Sequence, residues 1–347
     1  MDGVRGRRPR GNVSAFVARA PGRVNLIGGH TDYAGGPVVP MAIDLATTIV
    51  GKRGHERVVL VSRDADEPAE VPLAVDAPES FEPRWARYVA GVVAELRPTT
   101  GFIGEVATTI PIGTGLSSSA ALEVAVAVAL IGDNGIDRPQ VALACQRAEH
   151  RAAGVPCGIM DQLTSLVGVE GHALLMDCTT LDVTPVRIPD GVAVVVIDSG
   201  ERRELAGVGY AERRADVERA GELLGPLSKA SLDDVESLTD ARVRKRARHV
   251  VTEIARVHAF VDALSAEDVA TAGALMTGSH DSLRDNHEVT TPRLDALVSR
   301  LVAIPGVFGA RLTGGGWGGC VVALAEAGAL HEGWTVRPSA GASFEPV

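Results

Sequence analysis

The sequence predicts an α+β protein of two domains, and three observations carry that prediction. The first half alternates strand-like runs with stretches of helical spacing, which suits a mixed sheet covered by helices. From Gly171 the pattern changes to three short strand-like runs followed by long helices, so a boundary is expected near residues 180–190. The length of 347 residues, with 46% apolar and 22% charged, allows a large buried core in one or two domains.

Taken in order, Ser14 to Ala20 alternates as a strand, and 38–50 and 57–62 read as strands of a mixed sheet. Between Glu82 and Arg97 the apolar positions Trp85, Tyr88, Val89, Val92, Val93 and Leu96 make one helical face. Residues 103–110 alternate as a strand. Residues 122–131 alternate Val and Ala, which also fits a strand, but the alanines and the preceding glycines favour a helix. A helix is expected over 141–153 and a short one around Asp161. Strands follow at 172–177, 183–188 and 192–197, then helices near 208–224, 241–263, 266–280 and 291–303. The basic run ARVRKRARH, 241–249, reads as the solvated face of a helix.

Charge and composition exclude several classes. A net charge of −10 argues against nucleic acid as a partner. No uninterrupted apolar run approaches a membrane span of about 18 residues, so no membrane partner is expected. Arg5, Arg7, Arg8 and Arg10 precede no apolar core, which reads as a disordered basic tail over 1–12 and not a secretory signal. Cys145, Cys157, Cys178 and Cys320 are scattered without a C-x-x-C pair, as reduced and mostly buried thiols of a cytoplasmic protein.

The chemistry concentrates in four stretches. PIGTGLSSSAA, Pro111 to Ala121, joins a strand to a helix, where free N–H groups and the helix dipole favour an anion. Gly113 and Gly115 let backbone approach a ligand, and Ser117, Ser118 and Ser119 offer hydroxyls to phosphate or Mg²⁺. A plain glycine turn with a serine helix cap fits the same residues. PGRVNLIGGHTDYAGG, from Pro21, packs Arg23, Asn25, His30 and Asp32 between glycines. That donor and acceptor set suits a polyhydroxylated ligand, or equally a polar loop with an Asp-capped turn. Glu149 and Asp161 lie 12 positions apart across a turn and could supply a metal ligand and a base, although Asp161 could equally cap its helix. RLTGGGWGGCVVAL, Arg311 to Leu324, has too many glycines for an ordinary hairpin and places backbone against a ligand or another loop.

With GRVNLIGGHTDY, PIGTGLSSSAA, CGIMDQ and TGGGWGGC in this order, the chain resembles a galactokinase of the GHMP kinase superfamily over about residues 13–326. SHDSLRDNHEVTTPRLD, Ser279 to Asp295, resembles a further galactokinase-type helical region. The resemblance implies an N-terminal mixed-sheet domain of the ribosomal protein S5 domain 2-like type over 13–185. It implies a ferredoxin-like α+β domain over 186–347, with the active site in the cleft between. It implies phosphorylation of the anomeric C1 hydroxyl of D-galactose by ATP with Mg²⁺, in a cytoplasmic monomer or weak homodimer. Pro111, Gly113, Thr114, Gly115, Leu116, Ser117, Ser118, Ser119 and Ala120 would wrap the ATP phosphates, and Trp85 would lie near the adenine. Ser119 and Glu149 would hold Mg²⁺. Asp161 would face the anomeric hydroxyl beside Arg23, either accepting its proton or orienting it. Gly29, His30, Thr31, Asp32, Tyr210, Gly315 and Gly316 would contact the sugar.

The chain departs from the family at three points. Gly29 replaces a Glu that in the family binds the hydroxyl on carbon six, which opens the alternatives of L-arabinose or a uronic acid as acceptor. Ala34 replaces an Asn. The chain end is short, with about eight residues from Glu326 where relatives place a helix. Homoserine- or mevalonate-type kinases fit HTDY and the SLRD region less well. A non-catalytic sugar sensor would be expected to lose some of Ser119, Glu149, Asp161 and Arg23, all of which are present.

Overall fold

The computed structural model describes residues 14–132, 137–154, 156–202 and 206–347, with the side chains of 206–208 set aside; the basic tail expected over 1–12 lies outside the described residues. Strand β1 (Ala15–Ile27) pairs antiparallel with β2 (Pro37–His55) at the centre of the first sheet. β1 runs seven residues beyond the expected end at Ala20. Its burial alternates up to Ala20 and is then continuous to Ile27. A strand covered on both faces loses the period of two that marks a half-buried one. Register shifts at Pro21/Arg23 and Asn25/Ile27 fall inside this segment, and such bulges re-aim side chains.

β3 (Arg57–Ser62), β4 (Ala69–Pro72), helix α1 (Ala86–Leu96) and β5 (Gly101–Thr108) follow. β5 lies between β2 and β3 and runs parallel to β3, so the sheet is mixed as expected. α2 (Ser118–Ile131), α3 (Arg138–Ala153) and α4 (Met160–Val167) cover it, burying Phe16, Ile49, Val89, Phe102, Val124 and Leu163 in one core. β6 (His172–Asp177) pairs with the start of β2 and with β7 (Val183–Arg187).

The second half holds β8 (Val192–Asp198), α5 (Ala206–Leu224), α6 (Leu232–Glu236), α7 (Ala241–Ser265), α8 (Val269–Ser282), α9 (Pro292–Val302), β9 (Val307–Thr313), β10 (Cys320–Glu326) and β11 (Trp334–Val336). These strands form an antiparallel sheet in the order β11-β8-β10-β9. β12 (Ser343–Pro346) returns to β1. The division expected at 185/186 therefore falls inside β7, which belongs to the first sheet, and the chain's last strand rejoins that sheet. The two sheets also share a core: Val24, Leu26 and Met41 cluster with Val194, Val322, Val257 and Phe260.

No helix links β10 to β11. Leu330 in the connecting turn is buried with Val298 and Leu301 of α9, and Arg300 of α9 pairs with Glu332 at 3.0 Å, so neighbouring elements close over the shortened end. Among the described residues no helix is long and apolar enough to cross a membrane.

The basic run 241–249 corrects a sequence expectation. Arg242 and Lys245 are exposed, but Arg246 and His249 are buried in the face that α7 turns inward. Arg246 reaches Glu288 at 2.7 Å, and a hydrogen-bonded charge partner is what allows a guanidinium to be buried.

α8 and β9 touch backbone to backbone: a Cβ on Gly309 would stand 1.8 Å from the Gly273 carbonyl oxygen. Gly309→Ala is expected to lower stability by about 1–3 kcal/mol, the usual range for overpacking, as read from urea unfolding.

Candidate functional site

Arg23 sits at the first register shift of β1, 5% exposed, and makes contacts to two distant segments. Its Nε donates to Asp161 Oδ1 at 2.7 Å, its Nη2 donates to Asp161 Oδ2, and its Nη1 donates to the Gly115 carbonyl at 2.7 Å. Its backbone N–H donates to the Leu116 carbonyl at 3.1 Å. Asp161 lies in the first turn of α4, whose N-cap, Ile159, makes no side-chain cap bond. The Asp161 oxygens go to Arg23 and to the Ser117 hydroxyl, so it does not cap its own helix.

The serine loop is likewise no ordinary capped turn. Ser117 occupies the N-cap of α2 with φ 62° and makes no side-chain cap bond, since its hydroxyl donates to Asp161. Ser119 donates to Glu149 Oε1 at 2.9 Å. Gly113, Gly115, Ser117, Ser118 and Ser119 border a cavity of about 440 Å³ together with Arg23, Glu149, Asp161 and Arg202. Leu116 and Ala120 are buried outside it, and Thr114 donates to the Pro111 carbonyl at 2.8 Å; these four residues shape the loop and do not face the cavity. Gly113, Ser118 and Ser119 also border a more apolar cavity of about 410 Å³, whose walls include Trp85, Tyr88, Val106 and Leu122. The two cavities thus adjoin along the loop.

Burial pushes the Glu149 carboxyl above its ordinary value, and the Asp161 charge adds to this, against the bonds from Ser119, Cys157 and Gln162. Among the described residues Glu149 has no ion-pair partner, and no group of three or more His, Cys, Asp or Glu could enclose a metal. A hydroxyl and a carboxylate oxygen on one cavity wall fit Mg²⁺, a hard cation that takes few protein oxygens and completes its shell with phosphates and water.

The second group of candidate residues forms a polar and aromatic wall. His30 Nδ1 and the Tyr33 hydroxyl are 2.9 Å apart, and the ring centroids of Tyr210 and His287 lie 5.4 and 4.4 Å from that of His30. Burial, then His249 and Arg311, push His30 down to about 3, against an opposing contact with the Gly315 backbone, and its buried Nε2 makes no close hydrogen bond. At this value the ring is neutral, and its Nε2 is enclosed by protein and borders neither of the two cavities described above. Gly315 lies against the Tyr210 ring and brings backbone to this wall, whereas Gly316 packs on the Val289 carbonyl. Asp32 packs so closely on Gly158 that a Cβ there would stand 1.7 Å from Asp32 Oδ2. Thr31 is buried and its hydroxyl meets the Gly28 and Pro37 carbonyls at 3.0 and 2.8 Å, which ties the loop instead of facing a ligand.

Residues overlooked in the sequence hold Gly28 and Gly29 in place. Glu253 Oε1 of α7 accepts from the backbone N–H of Gly28 at 3.0 Å and of Gly29 at 3.2 Å, and His249 Nε2 lies 2.9 Å from the Gly29 carbonyl. Burial works against the Glu253 charge, but Arg311, His249 and Arg256 outweigh it and hold its carboxyl below the ordinary range. The i, i+4 spacing of His249 and Glu253 was the available signal. Arg202, exposed on the cavity rim, carried none.

Comparison with known proteins matches residues 10–53 to a galactokinase galactose-binding signature, 87–169 to the GHMP kinase N-terminal domain and 260–334 to the GHMP kinase C-terminal domain. Human galactokinase is 45% identical over 334 residues, covering 90% of this chain and 84% of its own. The galactokinase of Chloroflexus aggregans is 42% identical over 368 residues, covering 97% and 92%. A solved Lactococcus lactis galactokinase complexed with galactose superposes with a TM-score of 0.87 at 30% identity, covering 96% of this chain and 95% of that one.

Asp32 generates a test of the site's electrostatics. Burial, then the Asp161 charge, raise it from 3.8 to about 6. The folded state therefore holds its proton more tightly than the unfolded chain, and ionisation removes stability as pH rises through this window. Asp32→Asn cannot ionise. Its melting temperature relative to the natural chain, measured without sugar, is expected to rise between about pH 4 and about pH 7.

Proposed function

This chain belongs to the galactokinase family of the GHMP kinases, and on that premise we propose how its residues divide the work. It is a sugar kinase that transfers phosphate from ATP to the anomeric C1 hydroxyl of D-galactose, giving α-D-galactose 1-phosphate and ADP. The observation that supports the assignment of roles is the single cavity bordered by Arg23, Asp161, the serine loop and Glu149.

The adenine occupies the apolar cavity beside Trp85, and the phosphates lie along 111–120 at the N-terminus of α2, where N–H groups and dipole favour them. Ser119 and Glu149 hold Mg²⁺, which when bound supplies charge neutralisation of the phosphates. Galactose lies between this cavity and the wall of His30, Asp32, Tyr210, Gly315 and Gly316. The C1 oxygen forms its bond to the γ-phosphorus while the bond from that phosphorus to the bridging oxygen of ADP breaks. Asp161 accepts the hydroxyl proton. Its Oδ1 carries one of the three bonds and Oδ2 two, which leaves Oδ1 the freer acceptor. Arg23 orients that carboxylate, and its charge stabilises the oxygens as negative charge redistributes. Asp161→Ala is expected to fold and bind ATP, with turnover reduced by about 10³-fold or more in an ADP-release assay with galactose. Near-normal turnover would remove Asp161 from this role.

Gly29 sets a second property, the discrimination at carbon six. A Cβ there would stand 2.4 Å from Nη2 of Arg311, so a side chain at 29 points toward a buried guanidinium. Without a carboxylate at this position the hydroxyl on carbon six lacks a charged acceptor, a bond worth about 1.5–3 kcal/mol. Gly29→Glu is expected to raise kcat/KM for galactose over L-arabinose by about tenfold or more, corresponding to that range. Unchanged relative rates across galactose, L-arabinose and galacturonate would contradict it.

A further inference from the structure

Glu149 turns only one of its oxygens to Ser119. Oε1 accepts from the Ser119 hydroxyl, while Oε2 accepts from Gln162 Nε2 at 2.6 Å and from the Cys157 thiol at 3.4 Å. Gln162 follows Asp161 on α4, so one turn of helix delivers Asp161 to Arg23 and Gln162 to Glu149. The second hydrogen of the Gln162 amide goes to Glu123 Oε2 on α2, at 3.1 Å.

Glu123 is fully buried. Its Oε1 has no hydrogen-bond partner, and no ion pair reaches it among the described residues. Burying a carboxyl so poorly partnered is unfavourable, and the transfer reaction makes no use of it. Gln162 Oε1 is also without a partner. The amide orientation is therefore set wholly by what its nitrogen meets. A lone acceptor would leave that orientation weakly determined, whereas two acceptors on one side fix the nitrogen toward both.

We propose that Glu123 is a positioning residue that holds the Gln162 amide with its nitrogen against Glu149, fixing Oε2 and leaving Oε1 beside Ser119 for a divalent cation. This rests on the assignment of Glu149 as a cation ligand. The role requires an acceptor oxygen at position 123, which a glutamine supplies and a leucine does not. Groups that orient a metal-binding side chain typically govern affinity by about 10–100-fold.

The test is Mn²⁺ binding by electron paramagnetic resonance to the full chain with a non-hydrolysable ATP analogue and no sugar, beside the Mg²⁺ dependence of turnover. Glu123→Leu is expected to weaken Mn²⁺ binding by about tenfold or more and to raise the Mg²⁺ requirement in parallel, with KM for galactose unchanged. Glu123→Gln is expected to stay within about twofold of the natural chain, since it restores the acceptor. Should Glu123→Leu fail to fold, Gln162→Met removes the same link and carries the same expected loss. Unchanged Mn²⁺ affinity in a folded Glu123→Leu or Gln162→Met chain overturns the proposal, as does a Glu123→Gln chain as weak as the leucine variant. Glu149→Gln separates the two levels. If it too leaves Mn²⁺ binding unchanged, the ligand assignment fails and the proposal with it; if it alone weakens binding, only the role of Glu123 fails.

Discussion

The guanidinium of Arg23 is the joint on which this site depends. It is buried, and it reaches residues 92 and 138 positions away in sequence, the Gly115 carbonyl and the Asp161 carboxylate. A planar fork with five donors can bond a carboxylate on one edge and a carbonyl on the other, which an ammonium cannot do in fixed geometry. The same contacts that stop the serine loop from drifting relative to α4 also place a positive charge beside the carboxylate of Asp161. Structure and chemistry therefore share one side chain, and removing it would leave a partly buried carboxylate without its cation. The register shift at Pro21/Arg23 is part of this arrangement, because a regular strand could not present both the backbone and the side chain of Arg23 to the loop.

A second buried charge holds the turn after β1 in place. Glu253 gathers the Gly28 and Gly29 N–H groups, the Ser279 hydroxyl and Arg256, with Arg311 at 3.5 Å. It joins α7, α8 and β9 to the end of β1. A buried anion with this many donors is stable only when all of them are in place, so it fixes the geometry of the loop and not merely its proximity. The two halves of the fold are thus linked by a shared apolar core and by a polar joint beside it.

Much of this arrangement was legible in the sequence because polar loops that border a cavity use residue types a core does not. Glycines beside Arg, Asn, His and Asp marked the segment from Pro21, and the serines marked the turn before α2. Where the reading failed, burial had erased the pattern. β1 beyond Ala20 loses its alternation because both faces are covered. The basic run on α7 looked solvated because charge suggests water, yet Arg246 and His249 are buried against partners from distant segments, which no local pattern announces. Glu123 was hidden for the same reason: one carboxylate among Val, Ala and Leu carries no sign of the glutamine it meets 39 positions later.

Gly29 shows how a loop can be held through its backbone alone. Its backbone is held from both sides, by Glu253 at the N–H and His249 at the carbonyl, and neither contact involves a side chain at 29. These two contacts leave the loop's hydrogen bonds independent of the side chain at 29, although any Cβ there would first have to displace Arg311. What varies is only the volume and charge in front of Arg311, whose Nη2 stands where a side chain would begin. A carboxylate introduced there would meet a guanidinium already buried and already paired with Glu253, so Arg311 would have to shift to admit it while the opposite charges attract. Loop geometry at Gly28 and Gly29 is thus set by backbone contacts to α7, apart from the side-chain contacts that Arg23 and Asp161 make with each other and with the serine loop.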